Sequence, residues 1–99
     1  MKVLSTKLQV HIFKEGNQFI AYCPAFDIST SADTFDEVKK NFEELLDVFI
    51  KEVMQKGTLE EVLLDCGWQK VKTPRLHWQP PQRQFIAEIE EEVNLPCPT

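Results

Sequence analysis

The chain has 99 residues, 42% hydrophobic and 27% charged, which excludes a disordered tail or a coiled-coil rod and leaves one domain with one modest core. Sixteen acidic residues against 11 basic ones give a net charge of -5. That balance disfavours a nucleic-acid backbone as an independent partner and favours a basic protein. Residues 1–99 read as a single domain with its core over 4–93 and a tail over 94–99 that frays. Cys23, Cys66 and Cys97 are odd in number and lack CxxC or Cys/His spacing, so no zinc site or redox motif is expected. Reduced thiols in a cytoplasmic protein are the economical reading. No leader peptide is visible, and no apolar run reaches the roughly eighteen residues of a membrane span.

In chain order, residues 4–13 alternate. Leu4, Leu8, Val10 and Ile12 point one way, and Lys7, Gln9 and His11 the other, as in a strand with one buried face. Lys14 to Asn17 form a turn around Gly16. Residues 18–23 return, with Phe19, Ala21 and Cys23 on one face, and Pro24 ends the strand. Phe26, Ile28 and Thr30 suggest a third strand. Thr34 caps a helix, with Glu37 closing a capping box. Phe35, Val38, Phe42, Leu45, Leu46, Phe49, Ile50 and Val53 then keep the helical period. Phe42, Leu45 and Phe49 at the stripe's centre are expected to be buried on the sheet. The arc is wider than one sheet contact needs, so the excess should lie under another segment or a partner. Gly57 stops this helix.

Thr58 and Glu61 repeat the capping-box signature before a short helix carrying Leu59, Val62, Leu63 and Cys66. Gly67 ends it, and Trp68 should fold back over the terminus. Pro74, Pro80 and Pro81 exclude a central strand and a helix from 69–83. That stretch is basic, with Lys70, Lys72, Arg75 and Arg83 around His77 and Trp78. A patterned strand returns at 85–93, where Phe85, Ala87, Ile89 and Val93 alternate with Ile86, Glu88, Glu90 and Glu92. The expected fold is α+β, in the order β-β-β-α-α-β, mostly antiparallel, with one main helix packed on the sheet. The wide helix arc and a free edge at 85–93 together predict a homodimer.

Asp27, Asp33, Asp36 and Glu37 lie close in sequence, but helix capping explains them better than a metal. His11 and His77 lack a nucleophile or orienting carboxylate in sequence and read as surface histidines. No catalytic residue, cofactor or metal is expected. The Lys70–Arg83 cations are read as compensating the acidic run of Glu88, Glu90, Glu91 and Glu92. That run is either a solvated strand face or a docking surface for a basic partner. Trp68 and Trp78 are candidate aromatic anchors of the same interface.

The stretch from Phe19 to Val38 resembles the N-terminal domain of HicB antitoxins. Pro24, Phe26, Asp33, Thr34 and Glu37 match the family's strand-ending proline, its hydrophobic residue two on, and its acid–threonine turn into a helix. Leu63, Leu64, Gly67 and Trp68 are similar to the ending of its short helix. The likeness covers residues 8–68. Asp27 and Ala32 stand where glycines are common. Residues 69–99 carry no second amphipathic helix, so the appended DNA-binding domain of many relatives is missing and independent operator binding is not expected. The resemblance implies a partial ribonuclease-H-like fold without the nuclease carboxylates. It also implies a non-catalytic antitoxin that occludes a small basic HicA-type ribonuclease toxin. The rival readings are an orphan homo-oligomeric HicB-like module, and a small enzyme using His11 or His77.

Overall fold

The computed structural model describes residues 5–98, so the calls on Leu4 and Thr99 lie outside the described residues. The elements are β1 (His11–Glu15), β2 (Gln18–Cys23), β3 (Ile28–Ala32), α1 (Phe35–Gln55), α2 (Leu59–Asp65), β4 (Gln69–Val71) and β5 (His77–Gln79). The first three strands form an antiparallel meander in the order β1-β2-β3, and β4 pairs with β5 in a separate two-stranded ladder. The fold is α+β: three antiparallel strands, two helices, then β structure.

Regular pairing in β1 begins at His11, later than the alternation suggests, although Leu8 and Val10 still pack against the core. Glu15 pairs with Gln18, leaving Gly16-Asn17 as a two-residue turn. Gly16 sits at φ +60, which glycine adopts without steric cost. In β2, Ala21 and Cys23 are fully buried, as their shared face predicts. Pro24 follows the last ladder residue. The Asp27 amide then donates to the Cys23 carbonyl at 2.9 Å, and Asp27 itself takes φ 55. Aspartate tolerates this left-handed turn position, where a glycine would cost less. The Tyr22 hydroxyl donates to Asp27 Oδ1 at 2.9 Å and fixes the turn from its side.

The Thr34 hydroxyl caps α1, accepting from the Glu37 amide at 3.1 Å. At the other end Gly57, at φ +68, donates to the Met54 carbonyl, and the Thr58 amide donates to Val53. These two bonds are a Schellman motif. They also overturn the second capping box: Thr58 makes no side-chain cap. Its hydroxyl instead donates back to the Val53 carbonyl at 3.4 Å, because the residue belongs to the end of α1 before it can start α2. Helix α2 ends the same way. Gly67, at φ +90, bonds Leu64, and the Trp68 amide bonds the Leu63 carbonyl at 2.9 Å. That motif commonly brings its two flanking apolar side chains together, and Leu63 and Trp68 are both buried.

The core is the meander's inner face closed by α1 and by the end of α2. Val38, Phe42 and Val53 are buried, and Leu45, Leu46, Phe49 and Ile50 are half-buried, so of the three expected core residues only Phe42 is fully enclosed. Phe26 lies at the centre. It stacks on Trp68 at 5.2 Å between ring centroids and tilts against Phe49 at 5.1 Å. Phe35 departs from the expected stripe: it is exposed at the helix start, edge-on to Phe19 at 6.3 Å, with Lys39 Nζ 5.3 Å above its ring.

The chain's last third corrects two expectations. The prolines keep 69–83 out of the main sheet, yet Gln69–Val71 and His77–Gln79 pair with each other around a turn containing a cis Thr73–Pro74 peptide. Pro80 and Pro81 follow the ladder and take no part in it. The strand expected at 85–93 does not form. Residues 82–98 have no regular secondary structure and are all exposed. A strand needs a neighbour for its amides and carbonyls, and among the described residues 85–93 pair with none.

Candidate functional site

The exposed segment 82–98 is an arm. Its departure from the body shows in the dimensions, 59 × 29 × 24 Å, and in a radius of gyration of 17.5 Å. A compact chain of this length has about 13 Å. The expectation that Phe85, Ala87 and Ile89 fix this segment to the body is therefore overturned: Phe85 is 80% and Ile89 74% exposed. Glu88, Glu90, Glu91 and Glu92 all lie on the arm and are all exposed.

Among the described residues these four carboxylates form no ion pair, so the proposed compensation by the 70–83 cations does not occur. Lys70 pairs instead with Glu60 on α2. Its ammonium also lies 5.5 Å from the Trp78 ring centroid, a cation–π distance. The acidic run thus keeps its field.

The two tryptophans separate. Trp68 is 5% exposed, and its Nε1–H donates to the Ala25 carbonyl at 2.9 Å. It is a core residue, which corrects its assignment as an interface anchor. The Schellman turn at Gly67 directs it inward onto Phe26. Trp78 is half-buried on β5, packed against the core on one side and under Lys70 on the other. It stays available at the surface but lies on the hairpin, on a different element from the glutamates.

Between the hairpin and the helices runs a groove of about 610 Å³, lined by apolar residues including Ile50, Leu59 and Trp78 and by Lys70, Arg75 and His77. Its walls come from separated segments, so no local pattern in the sequence marks it. The one available hint is Leu76, an apolar residue among cations. His77 Nδ1 lies 2.7 Å from the Arg75 carbonyl, which holds the ring within its own turn. His11 lies edge-on to Phe13 at 6.3 Å on β1. Asp33 accepts from Gln18 Nε2 at 2.8 Å, tying the start of β2 to the entry of α1, and Asp27 accepts from Tyr22 in its own turn, so both acids serve the fold. Among the described residues no three His, Cys, Asp or Glu side chains gather as metal ligands would. Nor is any described helix long and apolar enough to cross a membrane.

The three thiols are free and graded in exposure: Cys23 buried, Cys66 intermediate, Cys97 exposed on the arm. Burial pushes the Cys66 thiol up, with Asp65, Asp27 and Cys23 adding in the same direction. A raised pKa leaves less of the reactive thiolate at any given pH. Alkylation by iodoacetamide near neutral pH, followed by peptide mass spectrometry, is expected to modify Cys97 first, Cys66 more slowly and Cys23 last. Cys66 reacting as fast as Cys97 would show that the end of α2 is open. Compared with known proteins, the chain matches no family model, no curated protein and no solved structure.

Proposed function

We propose that this chain is a non-catalytic, HicB-like antitoxin acting in the cytoplasm, and that it binds and occludes a small basic ribonuclease of the HicA type. The observation that carries this reading is the acidic arm. Glu88, Glu90, Glu91 and Glu92 stand exposed on a segment outside the folded body, free of ion pairs among the described residues. Exposed charges of one sign steer a basic partner into encounter. Inhibition would then be steric, with the carboxylates neutralising the cations that a ribonuclease uses to hold its substrate's phosphates. The lines of support are this arm, the net charge of -5 and the Phe19–Val38 resemblance.

The test is co-expression with the neighbouring reading frame, if it encodes a small basic protein, followed by pull-down on the tagged acidic chain. A stoichiometric complex that dissolves in high salt supports the proposal. Failure of any such neighbour to bind removes it. The exposed apolar residues of the arm favour one second reading, an orphan self-associating module without a toxin.

A further inference from the structure

We propose that the arm is an exchangeable strand: residues 84–95 of one copy add to the open β1 edge of a second copy, and the reverse. The arm has the period of a strand with one buried face. Phe85, Ala87, Ile89, Val93 and Leu95 share one row, interrupted by Glu91, and Ile86, Glu88, Glu90 and Glu92 lie on the other. The apolar row is bare, with Val93 70%, Leu95 76% and Phe85 80% exposed. A folded chain of this mass typically presents about 5,800 Å². This one presents 8631 Å². The excess, about 2,800 Å² per chain by that scaling, is more than the roughly 1,600 Å² in total that a stable interface buries.

The complement to the arm lies in the chain itself. Strand β1 bonds to β2 on one side and leaves its other edge open. Residues 5–10 precede it outside any ladder, so residues 5–15 offer an edge of about the arm's length. The inward row Leu8, Val10 and Ile12 already packs on the core, and Phe85, Ala87 and Ile89 would extend that apolar face. On the outward row, Lys7 would meet the face of Glu88, Glu90 and Glu92, and opposite charges across neighbouring strands are favourable. The other open edge, β3, also turns apolar residues inward, Ile28 and Ala32, but its outward row is Ser29 and Ser31 and offers the glutamates no cation.

The arm does not take this place on its own chain. A groove of about 780 Å³ separates Lys7, Leu8 and His11 from Pro80, Pro81 and Phe85. Two consecutive prolines stiffen the exit and carry the arm outward. Reciprocal exchange joins the same two surfaces twice and closes at two copies. It also leaves the glutamates on the outward face of an ordered strand.

The test uses the full chain without any toxin, so its failure is separable from failure of the antitoxin reading. Sedimentation equilibrium is expected to give twice 11.5 kDa. Isotope-filtered NOE spectra of a mixed labelled and unlabelled sample are expected to show contacts between copies, from Phe85 and Ile89 to Leu8, Val10 and Ile12. The double variant Phe85→Asp, Ile89→Asp is expected to halve the mass with unchanged circular dichroism, because both side chains are mostly exposed within one chain. Ala87→Pro, which removes a ladder donor, is expected to do the same. A wild-type mass of 11.5 kDa at high concentration overturns the proposal. So does a doubled mass that both variants retain, or one without arm contacts between copies.

Discussion

Trp68→Ala is expected to be the most damaging single substitution in the molecule. The ring is 5% exposed, stacks on Phe26, and donates its indole N–H to the Ala25 carbonyl at 2.9 Å. Truncating a buried aromatic to alanine costs about 3–5 kcal/mol, through lost burial and the cavity left behind. A small domain holds about 5–15 kcal/mol in all. At about 4–8 °C per kcal/mol for this size, the melting temperature is expected to fall by at least about 12 °C. Trp68→Phe separates the two contributions. It keeps an aromatic against Phe26 but strands the Ala25 carbonyl in the interior, at a cost of about 1–3 kcal/mol. Thermal denaturation of both variants checks this. An alanine variant that melts with the wild type would mean that the end of α2 does not close the core.

The second large effect is kinetic. Glu90→Lys with Glu92→Lys reverses two charges within the densest acidic run of the chain, at exposed positions that touch no core residue. Stability is therefore expected to hold. Association with a basic ribonuclease is expected to slow by an order of magnitude or so at low salt, since steering by opposite fields raises encounter rates by factors of about 10 to 1,000. Added salt is expected to erase most of the difference, because exposed charges are screened beyond about 8 Å at physiological ionic strength. Trp78→Ala is expected to act on dissociation instead, as loss of an apolar anchor does. Surface-plasmon kinetics at two salt concentrations distinguishes the two. A reversed-charge variant that associates as fast as wild type at low salt would reduce the acidic run to a solvated face.

Local chemistry made much of the fold legible in the sequence. Gly16, Gly57 and Gly67 sit at positive φ where turn and helix-end patterns place them, and Thr34 caps α1 through a bond three residues long. The alternation of Phe19, Ala21 and Cys23 correctly marks the buried face of β2. The misreadings share one cause: each outcome is decided by an element other than the one whose pattern is read. Thr58 carries a capping signature, but the end of α1 claims its amide and hydroxyl. The β4–β5 ladder joins residues on either side of Pro74, which local propensity penalises. Residues 85–93 have strand periodicity but join no strand among the described residues, so period alone could not decide their state. Trp68 folds back over the end of α2 as its place after Gly67 predicts, and that same burial removes it as an interface anchor. Of the candidate site, the acidic run was legible as a charge pattern. Its position on an arm was not, because that depends on which edges the rest of the chain leaves open.

The most direct measurement, where the neighbouring reading frame encodes a small basic ribonuclease, is a titration of that enzyme with this chain, RNA cleavage being followed as the acidic chain is added. The account predicts that cleavage falls to zero at a fixed whole-number ratio, and that the Glu90→Lys, Glu92→Lys variant needs more protein at low salt to reach the same point. Undiminished cleavage at a large excess of folded wild-type chain would contradict it.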